Sequence, residues 1–291
     1  MSLSNTCLAD KFEGMYDYLR EMFLNDRHHT KVNTGHWQGV KGTPHSQTRE
    51  LMHVNITMPI RPTAGSWASF IEPNLPWAED HFRERVAGLP LNPGEQYKNW
   101  PWYAGGVEDH KKPGQFSHTY MERFWPIGAT DRALLPDESV VNFGIRYQYG
   151  DLGDLIDLLW REPNTRQAYL PIWFPEDLMA TSLGERVPCT LGYHFMLRGE
   201  KLHCFYPMRS VDFVRYLKDD LYMAGRLVQH IIEELQTRGD VAQAPRYGET
   251  PSMWDFVKPG NLEFFASSMH IFEGDVPKLR REAADATPEP A

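Results

Sequence analysis

The sequence predicts a single-domain α+β protein built on a largely antiparallel sheet. Three observations lead there. Segments with the helical period of apolar residues alternate along the chain with segments of period two. The stretch "TLGYHFMLRGEKLHCFYPMRS" at 190–210 has the pattern of a β-hairpin. No internal repeat or interdomain linker interrupts the 291 residues, 41% of them hydrophobic and 24% charged, so the chain can bury one substantial core.

Leu8, Phe12, Met15, Leu19 and Phe23 share one helical face and predict an N-terminal helix. Residues 25–49 are polar, rich in glycine and histidine, and lack either period, which predicts a long loop. A strand is expected over 50–60, "ELMHVNITMPI". The segment "NLPWAEDHFRERVAG" at 74–88 predicts a short helix, with Asn74 as cap, Pro76 in the first turn and Gly88 behind it. Residues 91–136 are rich in aromatics and proline and show no clear period.

Downstream, Leu152, Leu155, Ile156 and Leu159 predict a helix over 151–162, and "RQAYLPIWF" predicts a buried strand over 166–174. In the hairpin Tyr193, Phe195 and Leu197 alternate, "RGEK" turns, and Leu202, Cys204 and Tyr206 alternate on the return. The clearest helix covers 220–239, with Val228, Ile231, Ile232 and Leu235 on one face and Gly239 expected just past its end. A strand over 261–272 and a short charged helix complete a single domain over 1–281. Residues 282–291, "EAADATPEPA", are expected to be a disordered tail.

Composition narrows the function. A net charge of −9 argues against a broad electrostatic footprint on nucleic acid, though a local basic pocket can still hold a nucleotide. Three cysteines, Cys7, Cys189 and Cys204, are spaced for neither a disulfide framework nor a zinc site. A reducing cytoplasm and no metal are therefore expected. The N-terminus has no apolar signal core, and no run approaches the roughly 20 apolar residues that span a bilayer, so no membrane association is expected.

Cys189 follows a proline at the mouth of the hairpin, and by spacing alone it is either a packed thiol or a nucleophile. If the hairpin strands pair, Arg209 returns to the vicinity of Cys189, where a guanidinium favours thiolate. Arg209 and Ser210 together also form a fair clamp for anionic oxygens. A Cys–His hydrolase using His194 or His203 lacks any oxyanion-hole signature.

The order Arg166, Trp173, Pro188-Cys189, Arg209-Ser210-Val211-Asp212, Pro259-Gly260, His270 resembles the thymidylate synthase family over about residues 50–281, most densely over 164–227. The resemblance implies an α/β fold with a mixed, mainly antiparallel six-stranded sheet and surrounding helices. It also implies a homodimer packed sheet to sheet. By position Cys189 is then the nucleophile that adds to C6 of a pyrimidine, Arg209 and Ser210 bind phosphate, and Arg166 binds phosphate in trans. Asp212 and Trp100 face a folate, and His270 contacts the sugar. Glu79 is the expected general acid/base, with Glu72 as fallback. Lys31 and Lys41 are candidates for an N-terminal phosphate contact.

Three departures from thymidylate synthases proper, Thr190, Met208 and Asp220, resemble the cytidylate (CMP or dCMP) 5-hydroxymethylases of bacteriophages and mildiomycin-type pathways. Phe272 replaces a tyrosine that usually contacts the sugar, which leaves the sugar open. A carboxylate at 220 can accept from the cytosine N4 amino group, whereas it opposes the uracil O4. The alternative for Asp220 is an N-cap of the helix that follows. The implied co-substrate is 5,10-methylenetetrahydrofolate. A 5-methylase and a catalytically silent nucleotide- or RNA-binding member of the family are the alternatives.

Overall fold

The computed structural model describes residues 6–33, 47–101, 114–183, 185–242 and 253–285. It is a mixed α/β protein with eight α-helices and ten strands among the described residues. The strands are β1 (Thr6–Leu8), β2 (Thr30–Asn33), β3 (Gln47–Pro59), β4 (Asp131–Leu134), β5 (Val140–Phe143), β6 (Tyr169–Pro171), β7 (Gly192–Arg198), β8 (Lys201–Met208), β9 (Val211–Asp212) and β10 (Lys258–Phe272). The helices are α1 (Phe12–Leu24), α2 (Ala64–Ile71), α3 (Trp77–Val86), α4 (Tyr120–Phe124), α5 (Leu152–Arg161), α6 (Glu176–Ser182), α7 (Leu217–Ala242) and α8 (Val276–Asp285).

The main sheet runs β1-β3-β10-β8-β7-β6, with β2 beside β3 and β9 beside β10. It is more mixed than the sequence predicts. Strand β10 is antiparallel to β3 but parallel to both β8 and β9, and β1 is parallel to β3. The cause is the connection. A parallel neighbour needs a crossover, and α7 supplies it between β8 and β10.

Helix α7 is 26 residues long and buries Leu217, Leu221, Ala224, Val228, Ile231 and Leu235. It is docked by a close approach to α2. The Trp67 indole donates from Nε1 to the carbonyl of Tyr222 at 2.9 Å, and a Cβ at Gly225 would run into that indole. Trp67 is fully buried, so truncating it to alanine costs about 3–5 kcal/mol.

One face of the sheet packs into the core through Val54, Ile56, Phe264, Ala266, Cys204, Tyr206 and Phe195. The opposite face is open. Tyr169, His194, Phe205, Glu263 and Thr57 cross it in register, and none of them is fully buried.

Several sequence expectations are corrected. Leu8 lies in β1, exposed, because pairing with β3 claims residues 6–8 before α1 starts at Phe12. Part of the expected loop is β2, a short polar edge strand on β3. Asn74 does not cap α3; it binds Asp219 through Nδ2 at 2.8 Å. The strand expected over 166–174 shrinks to β6, and the β4–β5 hairpin is exposed throughout. Gly239 lies inside α7, and residues 282–285 of the expected tail belong to α8.

Candidate functional site

The hairpin of β7 and β8 brings the central residues together. Its turn places Gly199 at φ 60, a conformation that favours glycine, and the strands then pair Phe195 with Cys204. Beyond the regular ladder, Thr190 bridges to Met208 and the Arg209 amide donates to the Cys189 carbonyl at 2.9 Å. Arg209 therefore folds back onto the segment before β7. Its Nε donates to the Pro188 carbonyl at 2.8 Å, its Nη2 donates to the Val187 carbonyl at 3.1 Å, and Nη2 lies 3.8 Å from Cys189 Sγ.

The guanidinium pulls the Cys189 pKa down, as the sequence implied. Burial pushes it up more strongly, so the net direction is upward and the resting group is a thiol. The exposed Arg186 adds a second cation acting on Cys189.

Ser210 Oγ lies 3.3 Å from His270 Nδ1, whose burial lowers its pKa and favours the neutral ring. Asp212 pairs with His270 in the β9–β10 ladder. Its carboxylate accepts from the amides of Val214 and Arg215 at 3.0 Å each and binds Arg215 Nη1 at 2.9 Å. Phe272 packs edge-on to His270, with ring centroids 5.6 Å apart.

Asp220 is the fourth residue of α7, its amide bonded to the Tyr216 carbonyl at 2.8 Å. It is inside the helix and does not cap it. Its carboxylate makes no hydrogen bond or ion pair among the described residues, and the residue is 8% exposed. Burial raises its pKa to about 7, opposed by Arg85 and reinforced by Asp219 and Asp212. Asp220 in turn acts electrostatically on Cys189. Trp100 stacks on Tyr216 at 5.3 Å, and its buried Nε1 has no hydrogen-bond partner among the described residues.

Four expected site residues make their contacts elsewhere. Glu79 accepts from Tyr222 Oη and Arg226 Nε, both at 2.9 Å, and from Arg83 at 3.1 Å. Burial raises the Glu79 pKa, but these donors outweigh it and the net shift is downward. Glu72, at the left-handed end of α2, is exposed and pairs with Lys218 at 3.2 Å. Lys31 lies 3.6 Å from Glu273. The Arg166 side chain is exposed, while its carbonyl lies 3.0 Å from His194 Nε2. Lys41 lies outside the described residues.

Sequence reasoning missed a buried polar floor. Arg85 is 4% exposed and lies over the Tyr120 ring at 4.1 Å. Tyr120 Oη lies 3.1 Å from Thr190 Oγ1, which lies 3.0 Å from Tyr206 Oη, so a chain of hydroxyls runs through Thr190, the residue after Cys189. A signal for Arg85 existed. Ala78, Phe82 and Arg85 form the buried stripe of α3, so an arginine occupies a core position.

A separate polar cavity of about 460 Å³, lined by Asp10, Arg20, Arg61, Phe70 and Lys218 among others, shares no residue with the Cys189 group. Its lining includes no cysteine among the described residues. That cavity lies between α1, α2 and α7. No group of histidine, cysteine or carboxylate side chains suited to a metal ion occurs among the described residues, and no helix there is long and apolar enough to cross a membrane. In comparisons with known proteins the chain matches no protein-family model and no curated protein.

Proposed function

We propose that the protein is a cytidylate 5-hydroxymethylase of thymidylate synthase type, acting on CMP or dCMP with 5,10-methylenetetrahydrofolate and water. The observation that carries this reading is the pairing of a half-buried cysteine with a buried carboxylate that has no protein partner among the described residues. Cys189 lies beside Arg209, and Asp220 keeps its acceptor oxygens free for a ligand. A free acceptor in a buried site suits a donor such as the cytosine amino group.

In this reading Cys189 Sγ adds to C6 of the base, which makes C5 nucleophilic. The thiol must first lose its proton. Arg209 and Arg186 favour that loss against the opposing effect of burial. Ser210 and Arg209 supply donors for phosphate oxygens, and neutral His270, 3.3 Å from Ser210, is available to a sugar hydroxyl. The hydroxyls of Tyr120, Thr190 and Tyr206 can orient water near the reacting carbon.

The folate fits on one observation: Trp100 presents a buried Nε1 with no partner among the described residues and stacks on Tyr216, an aromatic pair suited to a planar heterocycle. When bound, the folate supplies a one-carbon unit at the oxidation level of formaldehyde. Asp212, four residues before Tyr216, is held rigid by Arg215 on the same side.

A homodimer packed through the open sheet face is part of the proposal. Phe205 and Tyr169 are exposed there, and Arg166, whose side chain has no partner among the described residues, precedes β6 at that edge. The decisive experiment is turnover of CMP, dCMP, UMP and dUMP with methylenetetrahydrofolate, the products being identified by mass. A hydroxymethylated cytidylate is expected. Growth of dihydrofolate absorbance would identify a methylase instead, and binding of nucleotide with no product would identify a silent family member.

A further inference from the structure

We propose that Arg85 is a second base-reading group of this site: opposite Asp220, its guanidinium donates to N3 of cytosine, an acceptor that uracil lacks. The proposal rests on the reading that the Cys189 site takes a pyrimidine nucleotide. It adds a specificity-determining residue that the resemblance does not supply.

Arg85 is a core residue of α3, yet its guanidinium makes no hydrogen bond or ion pair among the described residues, and its buried Nε is unpartnered. The guanidinium lies instead over the Tyr120 ring, 4.1 Å from its centroid. Burying a guanidinium without a hydrogen-bond acceptor is costly. A ligand that brings an acceptor removes that cost.

The complementary group is Asp220, a buried carboxylate equally without a partner among the described residues. Arg85 is the principal opposing charge acting on Asp220, yet no ion pair joins the two among the described residues. A buried donor and a buried acceptor are thus both left without a protein partner among the described residues. Tyr120 connects Arg85 to Thr190, the residue after Cys189, which puts the guanidinium at the nucleophile's end of the site.

Cytosine presents an amino donor at C4 and a lone-pair acceptor at N3, side by side. The carboxylate accepts from N4–H and the guanidinium donates to N3. Uracil inverts both: its O4 would face the carboxylate and its N3–H would face the guanidinium. A buried site that pairs with one pattern rejects the other strongly, because its own polar groups are left unpaired. With Arg85 present, N3 needs no added proton to take part.

The test is calorimetric binding of CMP, dCMP, UMP and dUMP to the full-length protein and to Arg85→Met and Arg85→Gln. Arg85→Met is expected to lower the ratio of cytidylate to uridylate affinity by about tenfold or more, chiefly through weaker cytidylate binding. Without nucleotide its melting temperature should equal or exceed that of the wild type, since an unpaired buried charge is removed. Arg85→Gln, whose amide both donates and accepts, should bind the two bases with similar affinity. An unchanged ratio in folded Arg85→Met overturns the proposal while leaving the nucleotide reading intact. If neither variant folds, the guanidinium is structural and the proposal fails. If the wild type binds none of the four nucleotides, the reading beneath it fails too.

Discussion

Arg209 reaches across the end of the hairpin to Cys189, with Nη2 3.8 Å from Sγ and Nε anchored on the Pro188 carbonyl at 2.8 Å. The anchor fixes the cation beside the thiol, but burial still raises the thiol pKa above its ordinary value of 9.0. Alkylation of Cys189 by iodoacetamide should therefore accelerate with a midpoint above pH 9.0 in the nucleotide-free protein. Arg209→Met should move that midpoint further up. Peptide mass mapping separates Cys189 from the buried Cys7 and Cys204. A midpoint near neutrality would show that the cations outweigh burial.

Cys189→Ser should abolish product formation yet retain nucleotide binding, because phosphate and base contacts hold the substrate in the proposed site. Turnover assays and calorimetry on the same sample check both halves. Near-normal turnover by the serine variant would remove covalent catalysis by Cys189.

Glu79 ties α3 to α7 through Tyr222 and Arg226, which keep its carboxyl below its ordinary pKa of 4.5 despite burial. For a depressed carboxyl the stabilisation is present above the ordinary value and is lost as pH falls through the folded one. Glu79→Gln should thus melt below the wild type at pH 7, and the difference should shrink as pH falls below the ordinary value of 4.5. If Glu79 only braces the helices, turnover by the folded variant will stay near normal. Turnover slowed by roughly 100-fold or more would mark it as the acid/base, a size typical of proton-transfer groups.

The hairpin was readable because its alternation is local: Phe195 and Cys204 face the core and pair directly, and the turn residue at positive φ is a glycine. Features fixed by tertiary partners were not. Leu8 sits four residues before Phe12 and mimics a helical face, but the parallel partner that makes it a strand lies in β3, some fifty residues away. Asp220 reads as a cap because "KDD" is polar. The helix nonetheless starts earlier, where Leu217 is fully buried, and Asp219 accepts hydrogen bonds from Asn74 in a distant loop. The proximity of Arg85 to Asp220 depends on how α3 crosses α7, which no spacing within either helix reveals.

The open face of the sheet gives a test of assembly. Phe205 and Tyr169 are exposed in one protomer, and a sheet-to-sheet dimer would cover them. Phe205→Glu should shift the protein from dimer to monomer in sedimentation velocity. In addition, mixing inactive Cys189→Ser with inactive Arg166→Ala should restore part of the activity, since one site of the heterodimer is then wholly wild type. No recovery after confirmed subunit exchange would place Arg166 in its own chain's site.

Asp220→Asn separates recognition from stability. Burial raises the Asp220 pKa from 3.8 to about 7, so the folded state holds a proton that the unfolded state has released between those values. Stability from this group therefore falls as pH rises from about 4 to about 7, by roughly 1.4 kcal/mol per pH unit across that window. Asparagine carries no such charge. The variant should melt above the wild type at pH 8, and the gap should narrow toward pH 5. Its substrate preference should move the other way: the amide loses its advantage at the cytosine amino group and gains an acceptor–donor pair suited to uracil. The kcat/KM ratio of cytidylate to uridylate should fall even though the fold is more robust. A stabilised variant with an unchanged ratio would make Asp220 a buried acid without a role in reading the base.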